Sequence, residues 1–134
     1  MKIAIKSFIF LAYILLAFPY KIHSSTHILN YEQEMNKIKV IANKVIQCES
    51  EGRHNLWGDL NYPHHAYGIL QFQQRTFIWL TKLSGKRALK WKNKENQVEL
   101  FEWAIKNNYG YLWTCYRILD KRGVFDFETY KKSI

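Results

Sequence analysis

From Tyr31 to Glu49 the chain reads YEQEMNKIKVIANKVIQCE, and Met35, Ile38, Ile41, Ala42, Val45 and Cys48 recur at steps of three and four with polar residues between them. That period predicts an amphipathic helix over residues 31–49, with Cys48 on its core face and Asn30 as its N-cap. Residues 50–67 break the period with Gly52, Gly58 and Pro63 among Asn55, Asp59 and Asn61, and read as loop. A loop of this length is either functional or disordered. Trp57, Tyr62 and Tyr67 oppose disorder, and a short antiparallel ribbon would fit within it. Helical spacing resumes at about Ile69, either as one helix or in two pieces starting at Ile69 and Gln74. Leu70, Phe77, Leu80 and Leu83 form its apolar side, and Gly85 ends it. A third helix is expected over residues 94–108 with Val98, Phe101, Ala104 and Ile105 inward, and a shorter fourth element over residues 110–119. The tail, residues 121–134, is weakly patterned. The expected fold class is mainly α: a small helical domain with a long central loop or short β-ribbon between the first helix and the next.

The N-terminus changes the picture of where this domain works. Lys2 and Lys6 precede a continuous apolar run from Ser7 to Phe18, and Ile22 and Ser24 suit the −3 and −1 sites of a cleavage after Ser24. This is the pattern of an export signal over residues 1–24, with a mature domain over residues 25–134. The run is shorter than the roughly 20 residues that span a membrane; a retained N-terminal anchor is the alternative. Losing Lys2, Lys6 and Lys21 leaves 17 basic residues against 11 acidic ones, so the formal charge drops from +9 to +6. An exported cationic protein suits an anionic extracellular polymer, or loose association with an anionic membrane or wall surface. Export argues against nucleic acid as the partner.

Two cysteines in an exported chain predict a disulfide, and Cys48 with Cys115 is the one pairing available. In the chain-entropy view, closing so long a loop stabilises by about 4 kcal/mol. No metal or cofactor is expected: there is no CxxC, and His54, His64 and His65 lack a regular ligand spacing.

Glu49 falls in the last turn of the first helix, beside Cys48. The helix C-terminus carries partial negative charge, and a buried disulfide would add desolvation. Both favour the protonated carboxyl, the form that general-acid cleavage of a glycosidic bond requires. The plainer alternative is a solvated helix-end glutamate, which is how Glu51 reads. Gln71 lies between Leu70 and Phe72. It either ties loop backbone together or faces a cleft and binds a sugar amide or hydroxyl. Gly68 before it permits close approach of backbone or ligand. Trp57, Tyr62, Tyr67 and Phe72 offer ring faces to sugars or serve to pin the loop.

Taken in order, "CES", "WGD", "YGILQFQQRTF", "NQVELFEWAI" and "LWTC" resemble the lysozyme-like, lytic-transglycosylase family over residues 34–118. The resemblance implies a lysozyme-like helical fold. Glu49-Ser50 matches the family's helix-end Glu–Ser pair, and Gly68-Ile69-Leu70-Gln71 its following Gly-hydrophobic-hydrophobic-Gln segment. By carry-over, Glu49 is the catalytic acid and then base, Ser50 orients it or holds the site's backbone, and Gln71 with the backbone from Tyr67 to Gln71 holds an N-acetylated sugar. The implied substrate is the glycan strand of peptidoglycan. The chain departs from the pattern in two places. Glu51 intervenes before Gly52, and the later Ala-Tyr-Asn motif is replaced by NNYGYLW, which offers Tyr109 or Tyr111.

Asp59 is the candidate for a second carboxylate; it equally suits a turn in which it caps backbone N–H groups. With Asp59 in the chemistry the chain is a two-carboxylate muramidase. With Asp59 structural, Glu49 works alone and leaves 1,6-anhydromuramic ends. A non-catalytic exported binding module and a membrane-active cationic protein are the rival classes.

Overall fold

The computed structural model describes the backbone of residues 3–58 and 65–125, and the side chains within those ranges from residue 26 onward. The chain divides between Asn36 and Lys37 into two compact units. The first contains the N-terminal part of α1 (Ile3–Ser50). The expected cap at Asn30 is not one: α1 runs through that position without a break, so Asn30 is an interior helical residue. The export-signal reading also falls on α1, from Ile3 onward. Among the described residues no helix is long and apolar enough to cross a membrane.

The second unit holds the end of α1 and everything after it. In order these are β1 (Ala66–Tyr67), β2 (Phe72–Gln73), α2 (Gln74–Leu83), α3 (Lys94–Lys106), a 3-10 turn (Gly110–Leu112) and α4 (Thr114–Lys121). The described chain is thus mainly helical, with one two-stranded antiparallel ribbon that pairs Ala66 with Gln73 and Tyr67 with Phe72. The ribbon lies between the first helix and the second, as the loop pattern suggested. The helix expected from Ile69 starts only at Gln74. Residues 68–71 are a turn instead, with Gly68 at φ +88° and Gln71 at φ +48°. Neither angle is helical.

The core stripe of α1 is Ile38, Ile41, Ala42, Val45 and Ile46, all buried. One turn beyond Val45 that stripe meets Glu49. Cys48, expected on the core face, is exposed, and its partner Cys115 is the buried half of the bridge. The stripe continues from Val45 to Glu49, four residues on, rather than to Cys48, three residues on.

In α2, Phe77 and Leu80 are buried, whereas Leu83, expected inward, is nearly half exposed. In α3 the buried residues are Gln97, Leu100, Phe101, Ala104 and Ile105; Val98 is half-buried. The Asn93 side chain accepts from the Asn96 N–H at 2.8 Å, a true N-cap. Glu95 in the first turn and Lys106 in the last complement the helix dipole. Aromatic edges close the core: Trp113 meets Phe101 at 4.6 Å and Phe72 at 4.9 Å between centroids, both near perpendicular. Of the tail, Phe125 is buried, and residues 126–134 lie outside the described range.

Candidate active site

The site begins at a turn whose polar backbone is almost fully engaged by side chains from elsewhere. The Ser50 hydroxyl donates its one hydrogen to the Ile69 carbonyl at 2.7 Å, with the Ile46 carbonyl 3.2 Å away. Trp113 donates its indole N–H to Leu70 O at 2.9 Å, and Trp91 donates its own to Phe72 O at 2.8 Å. Gln97, fully buried, accepts from Leu70 N–H at 3.2 Å and donates to the carbonyls of Tyr67 at 2.9 Å and Trp91 at 2.7 Å. A buried backbone group left unpaired costs about 1–3 kcal/mol, so this set of partners fixes the turn in one conformation. Gly68 is required twice over: its φ is left-handed, and a Cβ there would collide with the Gln97 amide.

Gln71 completes the turn from within. Its Nε2 donates to Gly68 O at 2.7 Å and to Leu56 O at 3.1 Å. Both neighbours are acceptors, which settles which end of the amide is nitrogen. Both donor hydrogens are therefore used on loop backbone. Oε1 has no protein partner among the described residues, so toward a ligand Gln71 is an acceptor. Gly58 leaves room for that oxygen, since a Cβ there would meet it and the Ala66 methyl.

Beside this turn lies an open cleft of about 470 Å³ lined by Glu49, Ala66, Gln71, Phe72, Gln73, Thr76, Leu112, Trp113 and Thr114. Among those residues Glu49 is the sole acid. Its Oε1 accepts the Cys115 backbone N–H at 3.2 Å, at the start of α4. Oε2 has no protein partner among the described residues. Burial pushes the Glu49 carboxyl above its ordinary value of 4.5, and the Cys115 N–H opposes that shift without cancelling it. The Cys48–Cys115 disulfide, with Cα atoms 5.9 Å apart, joins the residue before Glu49 to the residue whose N–H holds it. Such a bond suggests a non-cytoplasmic location. Glu102 is also pushed up, by burial first and by Glu99, with Lys39 opposing. It does not line this cleft.

The expected binding residues separate. Gln71 and Phe72 line the cleft with Glu49, and Phe72 is a buried core ring. Ser50 is buried, and its hydroxyl is spent on Ile69. Tyr67 and Trp57 belong to another cluster, with centroids 4.7 Å apart and Trp91 at 5.8 Å and 6.1 Å from them. Tyr67 donates its hydroxyl to Asn55. Tyr111 is exposed beside Tyr109, at 6.4 Å, and does not line the cleft; its neighbour Leu112 does. Asp59, Tyr62 and His64 lie outside the described residues. Glu51 is exposed and pairs with Arg53 at 3.5 Å. No group of three or more His, Cys, Asp or Glu that could hold a metal ion occurs among the described residues.

The sequence reading missed Gln97, Trp91, Trp113, Gln73, Thr76 and Thr114. Gln97 carried a signal: it sits one turn before Phe101 on the apolar stripe of α3, where an amide must find partners. The threonines carried none. Compared with protein-family models, curated proteins and solved structures, the chain matches none.

Proposed function

We propose that this chain is an exported glycosidase that cleaves the β-1,4 bond between N-acetylmuramic acid and N-acetylglucosamine in peptidoglycan, leaving 1,6-anhydromuramic ends. The observation that carries the reading is Glu49. It is a half-buried carboxyl raised above 4.5, the sole acid among the described cleft residues, and one of its oxygens has no protein partner among the described residues. The motif resemblance supplies the substrate class, and the cationic surface suits an anionic wall polymer.

The chemistry follows from the two oxygens. Oε1 is held by Cys115 N–H, which orients the carboxyl plane. Oε2 carries the proton and delivers it to the glycosidic oxygen as the C–O bond breaks. The electron deficiency at the muramic C1 is met by the substrate's own N-acetyl oxygen. Glu49, now ionised, is stabilised by the Cys115 N–H at the positive end of α4. It then takes the proton of the muramic C6 hydroxyl, whose oxygen closes on C1. Gln71 Oε1 is positioned to accept a hydrogen bond from a sugar N–H or hydroxyl.

The test is mass analysis of muropeptides released from purified peptidoglycan by the wild type and by Glu49→Gln. Anhydro ends from the wild type and none from the variant are expected. Reducing ends would give the site to water and to a two-carboxylate muramidase that includes Asp59. A folded wild type that releases nothing would leave a binding module.

A further inference from the structure

Apart from the cluster around Trp91, a second set of rings stands at the surface, and nothing in the glycosidase reading uses it. Its members meet at Tyr109. Trp79 of α2 lies 5.5 Å from Tyr109 and nearly perpendicular, Trp103 of α3 lies 5.8 Å away and nearly parallel, and Tyr111 lies 6.4 Å away. Trp79 is 45% exposed and Tyr111 56%. Leu83, one turn after Trp79, and Leu112, next to Tyr111, are also exposed. Single apolar residues at a surface are ordinary, whereas a connected set marks a contact surface. The polar tips of these rings separate them from the core rings. Trp91 and Trp113 give their indole N–H groups to backbone carbonyls. The N–H and O–H groups of Trp79, Trp103, Tyr109 and Tyr111 have no protein partner among the described residues.

We propose that this row is a peripheral docking surface for an anionic lipid bilayer, with Trp79, Tyr111 and Leu83 entering the headgroup layer. An apolar ring body with a free polar tip is the chemistry that settles at the level of lipid headgroups. A sugar needs an open ring face instead, and Trp103 and Tyr109 turn theirs toward one another. Charge gives the sign of the lipid. The chain carries +9, and +6 without its first 24 residues. Arg75 and Lys82 lie one turn before and one turn after Trp79 on α2, where lipid phosphates would meet them. The acids nearest to Trp103 along α3 are already answered: Glu99 by Lys86 at 2.6 Å, and Glu102 by the charge of Lys39. Docking of this kind is independent of whether Glu49 cleaves a glycan.

The test is residue-resolved, so that an apolar N-terminus binding the same vesicles does not mask it. Fluorine-labelled tryptophan in the whole chain gives each of the five tryptophans its own NMR signal. Vesicles of phosphatidylglycerol and phosphatidylcholine that carry a spin-labelled lipid are then added. Trp57 is the internal control: at 46% it is as exposed as Trp79, but it belongs to the other cluster. The Trp79 signal should broaden about tenfold more than that of Trp57, and the difference should shrink with added salt and on phosphatidylcholine alone. In Trp79→Ser/Tyr111→Ser, two exposed changes, the Trp103 signal should lose its broadening. No broadening of Trp79, equal broadening of Trp79 and Trp57, or an effect undiminished on phosphatidylcholine overturns the assignment. So does Trp103 broadening retained in the double variant. Line widths that grow with protein concentration in the absence of vesicles would give the row to a second copy of the chain, and that too overturns docking to lipid.

Discussion

The Glu49 cleft and the Trp57–Tyr67–Trp91 cluster both draw on the segment between α1 and α2, yet they do opposite things with it. In the cleft, polar groups are left over: Oε2 of Glu49 and Oε1 of Gln71 have no protein partners among the described residues. In the cluster the rings answer one another, although Trp57 stays nearly half exposed. The three rings pack on one another, and the Lys92 ammonium sits 5.2 Å, 5.8 Å and 5.9 Å from the centroids of Trp57, Tyr67 and Trp91. Aromatic rings in a loop suggested a sugar platform; here they spend their faces on each other and on a cation. What distinguishes the cleft from the cluster is unsatisfied polar chemistry at the edge of a rigid turn.

The sharpest way to break that comparison is Glu49→Gln. It keeps size and the acceptor for Cys115 N–H but cannot donate a proton, so glycan cleavage should fall by about 10² to 10⁴-fold or more. Trp57→Ala, in the other region, should change turnover little. A larger loss from Trp57→Ala in a folded protein would invert the assignment. The same glutamine variant carries a stability signature. The folded-state pKa of Glu49 is raised, so the native chain binds the proton more tightly than the unfolded one. Its contribution is complete below about 4.5 and is lost as pH rises through the raised value. Thermal melts across pH 4 to 8 should therefore show Glu49→Gln gaining stability relative to wild type as pH rises. Cleavage by the wild type should decline over the same rise.

Removing the bridge with Cys48→Ser/Cys115→Ser should cost up to about 4 kcal/mol, read from denaturant unfolding. It should also lower turnover, because the bridge ties Glu49 to the N–H that orients it. Retained turnover at a temperature where the variant is fully folded would mean that the Cys115 contact is set by packing alone.

Gln97→Leu acts on both regions at once. It strands the Leu70 N–H and the Tyr67 and Trp91 carbonyls, and a loss of about 2–4 kcal/mol is expected from those unpaired groups. Gln97→Glu keeps the acceptor for Leu70 but buries a carboxylate against the two carbonyls, so at neutral pH it should cost at least as much as Gln97→Leu. A melt within a few tenths of wild type for Gln97→Leu would show the turn to be held without it.

The smallest effect belongs to Lys92→Gln. Loss of a partly exposed cation–π contact should cost about 0.5–1 kcal/mol and leave glycan cleavage unchanged. A clear loss of cleavage would join the cluster to the cleft.

Several features of this protein are decided locally and were legible in the chain. The apolar stripe of α1 shows in its three-and-four spacing. The end of α2 follows from Gly85, and the extent of α3 from the spacing of Phe101, Ala104 and Ile105. The Cys48–Cys115 pairing follows from there being two cysteines. Each of these rests on backbone angles, helical period or simple arithmetic, which neighbours in sequence fix by themselves. The tertiary structure alone decided the rest. Cys48 faces out and Glu49 in, because the carboxylate's surroundings come from Trp113 and Thr114, far along the chain. Gln71 became an acceptor because Leu56 and Gly68 took its hydrogens. Trp57 and Tyr67 do not line the Glu49 cleft because they pack with Trp91 and Lys92 instead. Burial and hydrogen-bond partnership are properties of what surrounds a group, and those surroundings exist only once distant segments have packed.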